Sequence, residues 1–187
     1  YNDKGLYDKA MQYYQKSLSI WLKSYGLNHS FVATPYTNMG NIYNALKEYD
    51  KAIKYQDTAL TIYRRAFGNF HPEIGMVNNR IASIYVHKAH NTECGVGNTM
   101  HYSVCAKLLD TALYYYQKAI GALVAPTPEL RKLGIGTHYK TIYENPVIPT
   151  IYDVKEGRNT INSNVVLKDA LIGKAETFEK RWYFKNK

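Results

Sequence analysis

Cysteine is almost absent from this sequence: Cys94 and Cys105 are the only two in 187 residues, too few for a disulfide framework. No apolar run approaches the roughly 18 residues that a membrane-spanning helix needs, and no secretory leader pattern is present. Phosphate-binding glycine loops are missing as well. The stretch "GIG" at 134–136 is too short for one, and Gly-x-x-x-x-Gly-Lys does not occur. His138, in "GIGTHYKTIY", has no nucleophile motif near it, so no Cys–His or Ser–His machinery is expected. These absences exclude the common catalytic signatures and leave an expectation of no enzyme activity, no cofactor and no resident metal. Clustered charge is also lacking. The formal net charge is +9, yet residues 1–90 carry 11 basic and 6 acidic side chains and residues 91–187 carry 13 and 9. Even spreading implies a general bias toward acidic partners rather than a nucleic-acid patch.

What the sequence does have is aromatic material and repetition. Hydrophobic residues make up 45%, enough for a core, and 19 are tyrosines, whose rings can be buried while the hydroxyl reaches a polar partner. "YDKAMQYYQKSLSIWLKSYG" (7–26) returns as "YDKAIKYQDTALTIYRRAFG" (49–68), 42 residues later. "HSFVATPYTNMGNIY" (29–43) returns as "HPEIGMVNNRIASIY" (71–85) at the same spacing. A third copy of the first line, "LDTALYYYQKAIG", covers 109–121. Three columns align: Ala10, Ala52 and Cys105; Ser17, Ala59 and Ala112; Gly26, Gly68 and Gly121. Their second spacing is 53 rather than 42, which requires an 11-residue insertion, placed at about 90–101.

Each unit therefore holds two helical segments, one from about 30 to 45 and one from about 49 to 66. The second shows Ala52, Ile53, Tyr55, Ala59, Ile62 and Tyr63 at helical spacing. Gly68 stands where a C-cap belongs and Pro72 where a helix begins. Gly40 and Ala82 each precede a tyrosine by three positions, and close helix approach is expected where such small residues face one another. A single hairpin cannot bury its apolar face, so the units must stack. The repeated line is scaffold.

Small-x-x-Tyr, then Tyr-Asp-Lys-Ala, then Ala-Leu seven residues on, resembles the tetratricopeptide repeat (TPR). The 42-residue period and the His-Pro opening are similar to the kinesin-light-chain subtype, over about residues 5–121. The resemblance implies an all-α fold, a right-handed α-solenoid of TPR helix hairpins. It also implies that extended peptides or partner proteins bind in a concave groove lined by the first helix of each pair. In the subtype, groove asparagines grip the peptide backbone and basic residues favour acidic ligands. An Asn amide can donate to a carbonyl and accept from an N–H at once. Carried over, the groove positions are Thr34, Thr37, Asn41 and Asn44 in one unit, then Met76, Asn79, Ser83 and His87 in the next. Polar helix faces also serve solubility, so these residues read equally as a solvated surface.

His87, His90, Cys94, His101 and Cys105 place five possible metal ligands within 19 residues. Cys105, however, falls in the column of Ala10 and Ala52 and reads as a small core residue, and no Cys-x-x-Cys pair supports zinc. A mobile or partner-binding loop is the preferred reading of the insertion. In the last third, Pro126, Pro128, Pro146 and Pro149 break any long helix across the irregular segment 122–164. Residues 165–187 then read as a capping helix, with Leu167, Leu171, Ala175, Phe178 and Trp182 on one stripe. Trp182 and Phe184 read alternatively as anchors for a neighbouring subunit. The chain begins without Met and partway into a repeat, as part of a longer chain or complex would. The expectation is a cytoplasmic, non-catalytic scaffold or adaptor for a protein or peptide partner, with no nucleic-acid or membrane role. A structural subunit of a large assembly and a regulatory arm of a larger enzyme are the alternatives.

Overall fold

The turns explain where the helices stop. Gly26 and Gly68, 42 residues apart, adopt φ of 74° and 78°, which side chains with a Cβ rarely tolerate, and each follows a long helix. His29 and His71, again 42 apart, open the next helices: each Nδ1 accepts the backbone N–H two residues on, at 3.3 Å from Phe31 and 3.2 Å from Glu73. Within a unit the turn is of another kind. Lys47 has φ of 62°, its N–H donates to the Asn44 carbonyl, and the Glu48 N–H donates to the Tyr43 carbonyl. That pair of bonds is a Schellman ending on a lysine instead of a glycine.

The computed structural model describes residues 3–92, 99–123, 169–170 and 172–180. Five helices follow in order: α1 (Asp3–Tyr25), α2 (Ser30–Ala45), α3 (Tyr49–Phe67), α4 (Pro72–Asn91) and α5 (Thr99–Leu123). Residues 169–170 and 172–180 are also helical, and no strand occurs among the described residues. The chain is an all-α solenoid. α2 packs chiefly on α3 and α4 chiefly on α5; α1 on α2 and α3 on α4 join one pair to the next. The small-residue columns sit at the contacts, with Ala52, Ala59 and Ala112 at 0% exposure and Cys105 at 1%. The core between the pairs comprises Val32, Ala33, Leu60, Tyr63, Ile74, Val77 and Ile81. Complete burial of an aliphatic side chain there contributes about 1.5–3 kcal/mol.

The expectation that small faces small holds for only part of the molecule. Ala82 does cluster with Ala112 and Ala119. Gly40 instead faces the Gln56 side chain, and a Cβ on Gly40 would lie 2.8 Å from Gln56 Nε2. The absent methyl group makes room for a buried amide, which donates to the Thr37 carbonyl (3.1 Å) and to Asn41 Oδ1 (3.0 Å).

The insertion is partly helical. α4 runs to Asn91, beyond the place where α2 ends in the repeat register, and α5 begins at Thr99. Residues 93–98 lie outside the described residues. Gly121, unlike Gly26 and Gly68, does not end its helix, which continues to Leu123.

The C-terminal helix packs on α5, but not through the stripe expected of it. Ala170 is 0% and Thr177 1% exposed, while Phe178 is 48% exposed and Ala175 is open as well. Gly173 explains the choice of face. A Cβ there would overlap the Tyr116 ring, so the helix approaches α5 on its smallest residues and Lys174 Nζ donates to Gln117 Oε1 (2.6 Å). Of the expected stripe, Leu167, Leu171 and Trp182 lie outside the described residues, as does Phe184.

Candidate functional site

The first helices of the two complete pairs leave one side uncovered. On α2 the stripe Thr34, Asn38, Asn41 and Ala45 advances by four, three and four residues, the spacing of one helix face. Thr34, Asn41 and Ala45 are exposed and Asn38 is half-buried. On α4 the stripe Met76, Arg80, Ser83 and His87 falls 42 residues further at every step, with His87 exposed and the others half-buried. The repeat thus sets two polar rows in the same rotation. His87 of the α4 row is tied to α2 by a hydrogen bond between its Nδ1 and Asn44 Oδ1 at 3.2 Å.

The eight groove positions expected from sequence do not all reach this surface. Thr34 does; its hydroxyl also shares a 3.3 Å hydrogen bond with the Tyr63 hydroxyl. Burial raises the Tyr63 pKa, keeping that phenol neutral and able to donate. Asn41 is exposed, although its Oδ1 accepts from Gln56, so its free capacity is the amide N–H₂. Asn44 is half-buried and bonded to His87. Met76 and Ser83 lie half-buried in the α4 row. Thr37 is 2% exposed, and its hydroxyl donates to the Ala33 carbonyl at 3.1 Å, so it faces inward and offers a ligand nothing. Asn79, one repeat on, turns the same way: it is half-buried, and its Oδ1 is buried with no hydrogen-bond partner. The adjoining Asn78 is 1% exposed and donates to the Ile74 carbonyl at 2.8 Å.

Sequence reasoning passed over two residues of the rows, Asn38 and Arg80. Both stand in one 42-residue column between the named positions, and that periodicity is the signal that would have found them. Arg80 is the more informative. Burial lowers its guanidinium pKa from the ordinary value, against the favourable influence of Tyr63 and Glu73. The ion pairs among the described residues, Lys51–Glu48 and Lys88–Asp50, do not include it. A half-buried cation outside an ion pair can receive a carboxylate with little further loss of hydration.

Among the described residues no group of three or more His, Cys, Asp or Glu side chains is placed to hold an ion. Cys105 is buried and its sulfur is disulfide-bonded. Cys94 and the His101 side chain lie outside what is described. No described helix is long and apolar enough to cross a membrane.

Stacked antiparallel helix pairs, capped in register and open along their first helices, define a helical-hairpin repeat array. Comparison with known families makes this particular: tetratricopeptide-repeat models match residues 1–30 and 31–93. The chain belongs to the tetratricopeptide-repeat family, of the kinesin-light-chain-like kind. That family is a protein–protein interaction scaffold in general and is generally non-catalytic. Among solved structures, the crystal structure of BtubC (BKLC) from P. vanneervenii is similar at 19% identity with a TM-score of 0.48. The match covers 98% of this chain and 59% of that one, so the chain spans less than two thirds of its length. No curated protein matches.

Proposed function

We propose that this chain is a non-catalytic adaptor or scaffold of the cytoplasm that binds an extended, acidic peptide segment of a partner protein along the α2 and α4 rows. The observation that carries the reading is the pair of rows themselves. Thr34, Asn38 and Asn41 on one helix and Met76, Arg80, Ser83 and His87 on the next repeat at 42 residues and belong to neither helix's buried face. Amide and hydroxyl groups at one-turn spacing match the donors and acceptors of an extended backbone. Arg80 supplies a cation for an acidic side chain, and the net charge of +9 favours encounter with acidic segments.

The test is fluorescence anisotropy with a panel of labelled, unstructured peptides that differ only in net charge. Acidic members should bind, with affinity falling as salt rises. The Arg80→Ala and Asn41→Ala double variant should weaken that binding at least about tenfold, a loss of about 1.4 kcal/mol, without unfolding the chain. Equal binding of neutral and acidic peptides, or unchanged binding by the variant, overturns the assignment.

A further inference from the structure

One buried polar side chain stands where its repeat counterparts are an aromatic and an aliphatic residue. Gln56 shares its column with Tyr14, 42 residues earlier, and with Leu109, 53 residues later. Leu109 is 1% exposed on α5, and Gln56 is 0% exposed at the same repeat position on α3. A buried amide is costly unless its hydrogen bonds are made, and Gln56 Oε1 finds no donor among the described residues. Packing alone does not explain a glutamine here.

Its two N–H groups are spent on α2. Nε2 donates to the Thr37 carbonyl at 3.1 Å and to Asn41 Oδ1 at 3.0 Å. The direction of both bonds is fixed, because a backbone carbonyl can only accept. Gln56 must therefore turn its nitrogen toward Thr37, and both hydrogens are then committed. Asn41 has to meet that nitrogen with its oxygen. Its own N–H₂ is left pointing away from Gln56, on a side chain that is exposed.

The neighbouring positions fit this relay. Gly40 leaves the room that Gln56 Nε2 occupies. One repeat on, the three positions read Ala82, Ser83 and Leu109, so the glycine, the asparagine and the glutamine are replaced together.

We propose that Gln56 is a positioning residue for ligand binding: it holds Asn41 as a donor on the open side of α2, for an oxygen acceptor of the bound segment. The ligand is that of the peptide reading above, on which this role rests; the positioning itself stands on the Gln56–Asn41 contact. A released Asn41 would sample other rotamers and both amide orientations. Ordering one such side chain on binding weakens affinity about fivefold.

NMR relaxation of the side-chain amides reads the positioning with no ligand present. The Asn41 N–H₂ should be ordered in the wild type and mobile in Gln56→Leu, which copies the residue at 109. Circular dichroism verifies the fold, and the unbranched Gln56→Met serves where leucine disturbs the hairpin. An Asn41 amide equally ordered in wild type and variant overturns the proposal. Anisotropy with a labelled acidic peptide then reads the consequence. Gln56→Leu should bind about fivefold more weakly, and should cost nothing further in the Asn41→Ala background, because it acts through Asn41. No loss, or the same loss in both backgrounds, overturns the role. A loss unchanged by salt marks a main-chain carbonyl as the acceptor, and one that shrinks with salt marks a carboxylate. If the wild type binds no acidic peptide, the peptide reading fails, while the order of Asn41 still decides the positioning.

Discussion

His71 shows how much a single side chain carries in this repeat. It caps α4, stacks on Phe67 with ring centroids 3.8 Å apart, and stands just before Pro72, a residue pre-set for the first helical turn. Burial lowers its pKa, with Glu73 opposing. A depressed histidine pKa means that the neutral ring stabilises the fold. That contribution is complete above the ordinary value of 6.5 and is lost as pH falls through the lower folded value. Protonated Nδ1 can no longer accept the Glu73 N–H, so the cap fails as well. His71→Asn retains a capping acceptor and removes the titration. Thermal melts between neutral and mildly acidic pH should show a smaller acid loss in the variant than in the wild type; parallel losses would show that the acid sensitivity lies elsewhere. The His-Pro opening was plain in the sequence because capping is local chemistry. The Gly40–Gln56 contact was not, because it joins residues of two helices and depends on a buried amide donating to acceptors that only the packed hairpin supplies.

Between elements, the C-terminal helix repeats the small-residue logic of the hairpins across a much longer separation in sequence. Gly173 sits against Tyr116, which is 6% exposed and whose phenol pKa burial pushes up to about 12. Gly173→Ala would drive a methyl group into that ring, and overpacking of this kind costs about 1–3 kcal/mol. The expected result is release of the helix from α5, read as faster proteolysis within 169–180, while α2–α4 keep their protection. Cleavage at the wild-type rate would show that the ring moves aside. The sequence stripe pointed to the wrong face here for a physical reason. Periodicity finds the largest apolar residues, whereas docking onto an aromatic ring selects the smallest, and Phe178 remains outside. The two complete pairs were legible almost to the residue, since their 42-residue period repeats every boundary signal. The insertion was not, because the extension of α4 to Asn91 carries no such echo.

For the molecule as a whole, stability is distributed unevenly along the stack. α2–α4 each pack on the helix before and the helix after them, whereas α1 packs chiefly on α2 and its Leu6, Tyr13 and Ile20 are exposed. Hydrogen exchange at dilute concentration should therefore show the amides of α1 exchanging earliest among the five helices, with α3 and α4 the slowest. Uniform protection would mean that the array opens only as one unit. At this scale the groove was half legible. Of the residues that the family resemblance named, Thr34, Asn41, Met76, Ser83 and His87 lie on the two rows, whereas Thr37 and Asn79 turn inward and Arg80, unremarked in the sequence, stands in the α4 row.

The chief contacts of α1 through α5 all join helices adjacent in sequence. Apart from the docking of the C-terminal helix on α5, the chain closes only short loops as it folds, so formation of α1–α5 should be fast, in the microsecond to millisecond range typical of local topologies. No single nucleus is required. Either hairpin can form first, and the order in which they form can change with a point substitution while the final structure does not.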